Sequence, residues 1–89
     1  MPERSAVVAS KAGLHARPAA IFVKAAAAQP VKVNIRKPGG QPVDASSILS
    51  IMTLGVEQGD EVILSAEGDQ ADQALDTLAN LLSRDLDEE

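Results

Sequence analysis

The sequence has no cysteine, no tryptophan and no tyrosine, and its aromatic content is one residue, Phe22. Without cysteine there can be no disulfide, no thiolate nucleophile and no cysteine-based metal site, which suits a reducing, cytoplasmic setting. With a single ring, the chain lacks the stacking platforms that single-stranded nucleic acid requires. Positive charge is also scarce: eight Lys and Arg stand against thirteen Asp and Glu, a formal net charge of -5. That balance argues against a nucleic-acid partner held by its phosphate backbone. One histidine and no cysteine do not make a zinc site of the ordinary type, so no metal is expected. No apolar run approaches the ~20 residues that span a bilayer. Met1-Pro2-Glu3-Arg4 does not begin a signal pattern. Direct membrane insertion is therefore not expected.

What is present is aliphatic. Hydrophobic residues make up 45% of 89 residues, enough for one folded domain over 1–89 with a Val, Ile, Leu and Ala core. Glu3 to Ala9 reads as a strand. A helix is expected from Ala16 through the alanine run to Ala28, because Pro18 is tolerated in a first turn and Pro30 forbids continuation. Val31-Lys32-Val33-Asn34-Ile35-Arg36 alternates apolar and polar, the pattern of a half-buried strand. A Pro38–Gln41 turn leads to Pro42-Val43-Asp44, a short strand that proline confines to a sheet edge. Ser46 to Gly55 reads as a short helix with a serine cap and a left-handed glycine end. A turn at Glu57–Asp60 and a strand over Glu61–Glu67 follow. Asp69 is a natural cap for a last helix, whose Ala71, Ala74, Leu75, Leu78, Ala79 and Leu82 form an apolar stripe. The acidic end, 85–89, reads as a solvated tail. The order strand, helix, strand, strand, helix, strand, helix gives a two-layer α+β sandwich.

The chemistry converges on Gly13-Leu14-His15-Ala16-Arg17-Pro18-Ala19-Ala20, which contains the one histidine. His15 stands at the expected N-cap of the first helix, where it could serve as a cap. The same position offers more. Free backbone N–H groups and the positive end of the helix dipole make an anion site. Arg17 adds a guanidinium suited to phosphate oxygens. Both positive groups favour an uncharged, nucleophilic imidazole over imidazolium. A neutral imidazole beside a phosphate cradle is what reversible phosphorylation on histidine requires. A small hydrolase using His15 as base is the competing chemistry, but no nucleophile or metal can be identified for it.

The Gly13–Ala20 motif resembles the active-site signature of the HPr family, the histidine-containing phosphocarriers of the bacterial phosphoenolpyruvate:sugar phosphotransferase system. Ser47-Ile48-Leu49, Thr53-Leu54-Gly55, Gln58-Gly59 and Val62–Gly68 resemble the rest of the family pattern, so the likeness covers nearly the whole chain. It implies an open-faced β-sandwich of βαββαβα order, with an antiparallel four-stranded sheet of strand order 1-4-2-3 covered on one face by three helices. It implies a phosphocarrier and not an enzyme, with no permanent cofactor. His15 would be phosphorylated through Nδ1, and Arg17 would assist transfer. Enzyme I, charged by phosphoenolpyruvate, would be the donor and sugar-specific EIIA domains the acceptors.

Family docking uses the first two helices, which on this chain points to Ala16, Ala20, Ile48, Leu49 and Met52. By helical spacing Ile48, Ile51 and Met52 could all be core. Ile51 is the one expected there, while Leu49 lies off the stripe and is expected to be exposed. Ser47 matches a regulatory serine that an HPr kinase/phosphorylase modifies in some bacteria. It could equally be only a helix cap, and Ser46, where relatives often carry a basic residue, competes for that role. A monomer is expected. A regulatory or nitrogen-branch paralogue, or a binding module of the same fold, remains the alternative.

Overall fold

The computed structural model describes residues 2–84. Its elements are β1 (Glu3–Val7), α1 (Ala16–Ala27), β2 (Val33–Arg36), β3 (Val43–Asp44), α2 (Ile48–Leu54), β4 (Glu61–Ala66) and α3 (Ala71–Leu82). The strands form one antiparallel sheet in the order β1-β4-β2-β3, as expected. The expected acidic tail lies outside the described residues.

Alternation sorts the sheet into two faces. Val33, Ile35, Val62, Leu64 and Ala66 are buried on the inner face. Facing them, α3 buries Ala71, Ala74, Leu75, Leu78 and Leu82, and α1 buries Ala19, Phe22 and Ala26. Each fully buried Leu, Ile or Phe side chain contributes about 1.5–3 kcal/mol by leaving water. The opposite face carries Glu3, Ser5, Asn34 and Arg36, with Arg36 Nη2 3.6 Å from Glu3 Oε2. It is the uncovered side of a two-layer sandwich.

Several boundaries differ from expectation, for local reasons. β1 ends at Val7, because the next amides leave the ladder. Val8 N–H donates to Asp60 O at 3.0 Å, and Ala9 N–H to Leu82 O at 3.1 Å. β2 begins at Val33 and β3 at Val43. β3 lies on the sheet edge, as Pro42 requires. Asp69 is not the cap of α3. The N-cap is Gln70, without a side-chain capping bond. Ala71 N–H instead bonds Gly68 O at 3.1 Å, so a backbone turn supplies what a carboxylate was expected to supply. No helix is long and apolar enough to cross a membrane among the described residues.

Candidate functional site

His15 is the N-cap of α1, with extended backbone (φ -129, ψ 159). The helix starts here because Pro18, buried in the first turn, needs no N–H partner. The imidazole makes no capping bond, so His15 holds the N-cap position through its backbone alone. Its Nε2 lies 3.0 Å from Glu57 Oε2. A carboxylate only accepts, so Nε2 carries the hydrogen, and in a neutral ring the lone pair is left on Nδ1. The Nδ1 lone pair thus belongs to the residue that starts α1, at the positive end of the helix dipole. Sequence reading counted only the positive groups around His15. Glu57 brings a negative charge to the far nitrogen.

The loop bearing His15 is held by main-chain bonds to the α2–β4 turn. Leu14 N–H donates to Val56 O at 3.0 Å, and Gly59 N–H to Val8 O at 2.8 Å. Gln58 Nε2 reaches Ala9 O at 3.1 Å. Gly13 has φ +68, and a Cβ there would lie 2.3 Å from Val56 O and 2.8 Å from Glu57 Cα. Only glycine permits both that conformation and that approach. The turn itself is braced. Glu57 N–H donates to Asp60 Oδ2 at 2.9 Å, and Lys37 Nζ donates to Gly55 O at 3.1 Å while standing 3.6 Å from Asp60 Oδ2.

Arg17 is exposed on the first turn of α1, and Ala20 is exposed one turn further on. The side chain of Ala16 lies outside the described residues. α2 packs beside α1. Among the described residues, the exposed large apolar side chains are Val7 at 55%, Ile48 at 39%, Leu49 at 75% and Met52 at 45%. Three of these are on α2, while Ile51 is fully buried. Leu49 and Ile51 fall as expected, and Ile48 and Met52 turn outward from the core.

Ser47 is the N-cap of α2, its Oγ accepting from Ser50 N–H at 3.4 Å. Ser46 does not compete. Its N–H and its Oγ–H both go to Asp44 Oδ1, at 2.9 and 2.7 Å. Those bonds, the side-chain one first, hold the Asp44 carboxyl below its ordinary range, with a small contribution from Lys32 and against a small desolvation effect. Gly55 ends α2 with φ 66. Among the described residues no group of three or more His, Cys, Asp or Glu could hold a metal ion.

Glu57 is the member of the site that sequence reading missed. It is 42 positions from His15, on a turn without periodic signal. The cue that could have found it is Gly13, whose close approach demanded some backbone beneath it.

Residues 2–84 match the family model described as "PTS HPr component phosphorylation site". The chain is 46% identical over 88 residues to the phosphocarrier protein HPr of Streptomyces coelicolor, covering 99% of this chain and 95% of that protein. It is 42% identical over 79 residues to the HPr-like protein Crh of Bacillus subtilis, covering 89% and 92%. The crystal structure of HPr-C-His from Thermoanaerobacter tengcongensis superposes with a TM-score of 0.89 at 43% identity, covering 100% of this chain and 99% of that one. With that fold, and with a histidine so presented, the chain belongs to the HPr family of phosphocarrier proteins of the phosphotransferase system.

Proposed function

We propose that the chain accepts a phosphoryl group on His15 Nδ1 from phosphorylated enzyme I and passes it to sugar-specific EIIA domains. The observation that carries this reading is the Nε2–Glu57 bond, which leaves Nδ1 as the free nucleophile at a helix N-terminus. Nδ1 attacks phosphorus, and the electron pair of the broken bond returns to the donor. First-turn N–H groups and the Arg17 guanidinium stabilise the spread negative charge. Donors held in place act again when the group leaves, so the same site serves acceptance and delivery. The exposed Ile48, Leu49 and Met52, with Ala16 and Ala20, form the apolar docking surface for successive partners. In this reading the chain is a substrate of its partners, acting as a cytoplasmic monomer.

The test is incubation with phosphoenolpyruvate and enzyme I, followed by intact mass and acid treatment. The wild type gains one acid-labile phosphoryl group and His15→Ala gains none. An adduct retained in His15→Ala would overturn the assignment. Arg17→Ala folds and accepts the group about tenfold or more slowly, as expected when one charge-stabilising donor is lost.

Ser47 is proposed as a regulatory phosphorylation site for an HPr kinase/phosphorylase. Its hydroxyl caps α2 beside the docking residues, so a phosphate there suits the helix dipole while placing negative charge against acidic partners. Labelling with that kinase and ATP is expected at Ser47 and lost in Ser47→Ala. The likeness to Crh favours a second reading, a regulatory member of the same fold. Partner binding at α2 without phosphorylation of His15 would select it.

A further inference from the structure

In the phosphocarrier reading the Nε2–Glu57 bond marks which ring nitrogen is available, and the carboxylate itself is given no part in the transfer step. We infer that Glu57 is a positioning residue for phosphoryl transfer: its carboxylate fixes the His15 tautomer and orientation, and neutralises the cation that forms on the ring. The inference rests on the phosphocarrier reading of His15.

The geometry is built from the backbone outward. Glu57 Cα is pressed against Gly13, with no space for a Cβ between them. Leu14 N–H is tied to the preceding carbonyl, Val56 O. Glu57 N–H is fixed by Asp60 Oδ2. The two backbones that carry the pair therefore share one rigid contact, and Glu57 Oε2 comes to 3.0 Å from His15 Nε2.

The chemistry follows from the proton. An imidazole that donates Nε2–H presents its lone pair at Nδ1. When Nδ1 forms a bond to phosphorus, the bond from phosphorus to the donor breaks and its electrons stay with the donor. The hydrogen remains on Nε2, and the ring takes the positive charge of a phosphorylated imidazolium. Glu57 faces that hydrogen. A carboxylate orienting an imidazole and stabilising the imidazolium is the arrangement of the hydrolase triads, here with the ring itself as nucleophile. The two ring nitrogens open to different sides, so the carboxylate stands away from the incoming group. On delivery the sequence reverses: a nucleophile of the acceptor forms the new bond to phosphorus, the Nδ1–phosphorus bond breaks with its electron pair returning to the ring, and the neutral tautomer is restored.

The pair is exposed, with His15 and Glu57 side chains 35% and 69% accessible, so a modest effect is expected. Glu57→Ala and Glu57→Gln are compared with the wild type. Ring nitrogen-15 shifts of the unphosphorylated proteins, recorded where His15 is neutral, report the tautomer. Rapid-quench kinetics with enzyme I and phosphoenolpyruvate report acceptance. In the wild type the hydrogen is on Nε2; in Glu57→Ala the Nδ1–H tautomer gains population. Glu57→Ala loses about fivefold in the rate at saturating enzyme I, as one exposed charge-assisted bond allows. The enzyme I concentration for half-saturation is unchanged. Glu57→Gln, which keeps an acceptor but not the charge, recovers part of the rate. Unchanged ring shifts with an unchanged rate, or a loss confined to half-saturation, would overturn the inference. A wild type that takes no phosphoryl group would instead reject the phosphocarrier reading, and the ring shifts would still decide whether Glu57 holds the tautomer.

Discussion

Gly13 bears the strictest steric demand in the site. Gly13→Ala would place a Cβ against Val56 O while the backbone stays at positive φ. The expected loss is about 2–3 kcal/mol, from αL strain together with a backbone clash. It is read by urea unfolding, and slower phosphoryl acceptance should accompany it because His15 moves with the loop. A second residue-scale outcome concerns acid. Asp44 has its carboxyl depressed in the folded state by Ser46. Its stabilising contribution is therefore complete above the ordinary carboxylate value, 3.8, and is lost as pH falls through the lower folded value. Ser46→Ala should be less stable than wild type at neutral pH, with the difference closing below the ordinary value in denaturation curves taken across pH. At this scale His15 was legible, since a lone histidine between Gly13 and Pro18 marks a loop-to-helix junction. Glu57 was not. A contact across 42 positions leaves no trace in spacing, and the charge of a turn residue reads as solubility.

The short helix α2 divides its apolar residues between two duties. Ile51 is fully buried, so Ile51→Ala should cost about 2–5 kcal/mol through lost burial and a cavity. Leu49 is largely in water, and Leu49→Asp should leave the melting temperature within a degree or two of wild type while weakening association with enzyme I, as titration calorimetry would show. Equal destabilisation by both changes would contradict the division. Ser47→Ala should cost about 0.5–1 kcal/mol by loss of the cap, on the lower side because its bond to Ser50 N–H is long at 3.4 Å. The helix itself was legible from the serine start and Gly55. That Ile48 and Met52 both face outward was implied by the family likeness and not by spacing, because seven residues make under two turns and a period cannot be fixed over so short a run. The cap of α3 failed for a different reason. Asp69 has the right chemistry for an N-cap, but the turn at Gly68, with φ +111, brings a carbonyl to the Ala71 amide first.

For the molecule as a whole, alternation in β2 and the stripe of α3 declared a sheet with one covered face, and strand order followed once the family likeness was admitted. Composition and periodicity alone stop at a two-layer sandwich, because they do not say which strand lies beside which. Native-state hydrogen exchange offers a test at this scale. The amides of Val8, Leu14 and Gly59, which join the His15 loop to the α2–β4 turn, should exchange with the slow sheet amides and not with the loops, since they open only when the sandwich does. This seam has a bearing on mutational tolerance. Its main-chain bonds run between N–H and C=O groups, alongside the side-chain contacts of Gln58 with Ala9 and of Glu57 with His15. Nearly every residue type supplies those groups, so the geometry of the site is stored where substitution cannot easily erase it. A saturation scan of residues 8–14 and 56–60 should therefore find folding intolerant at Gly13 and at the buried Val8, Ser10, Leu14 and Val56, and tolerant at the exposed positions among them, where side chains can diversify toward new partners without loosening the main-chain grip on the loop.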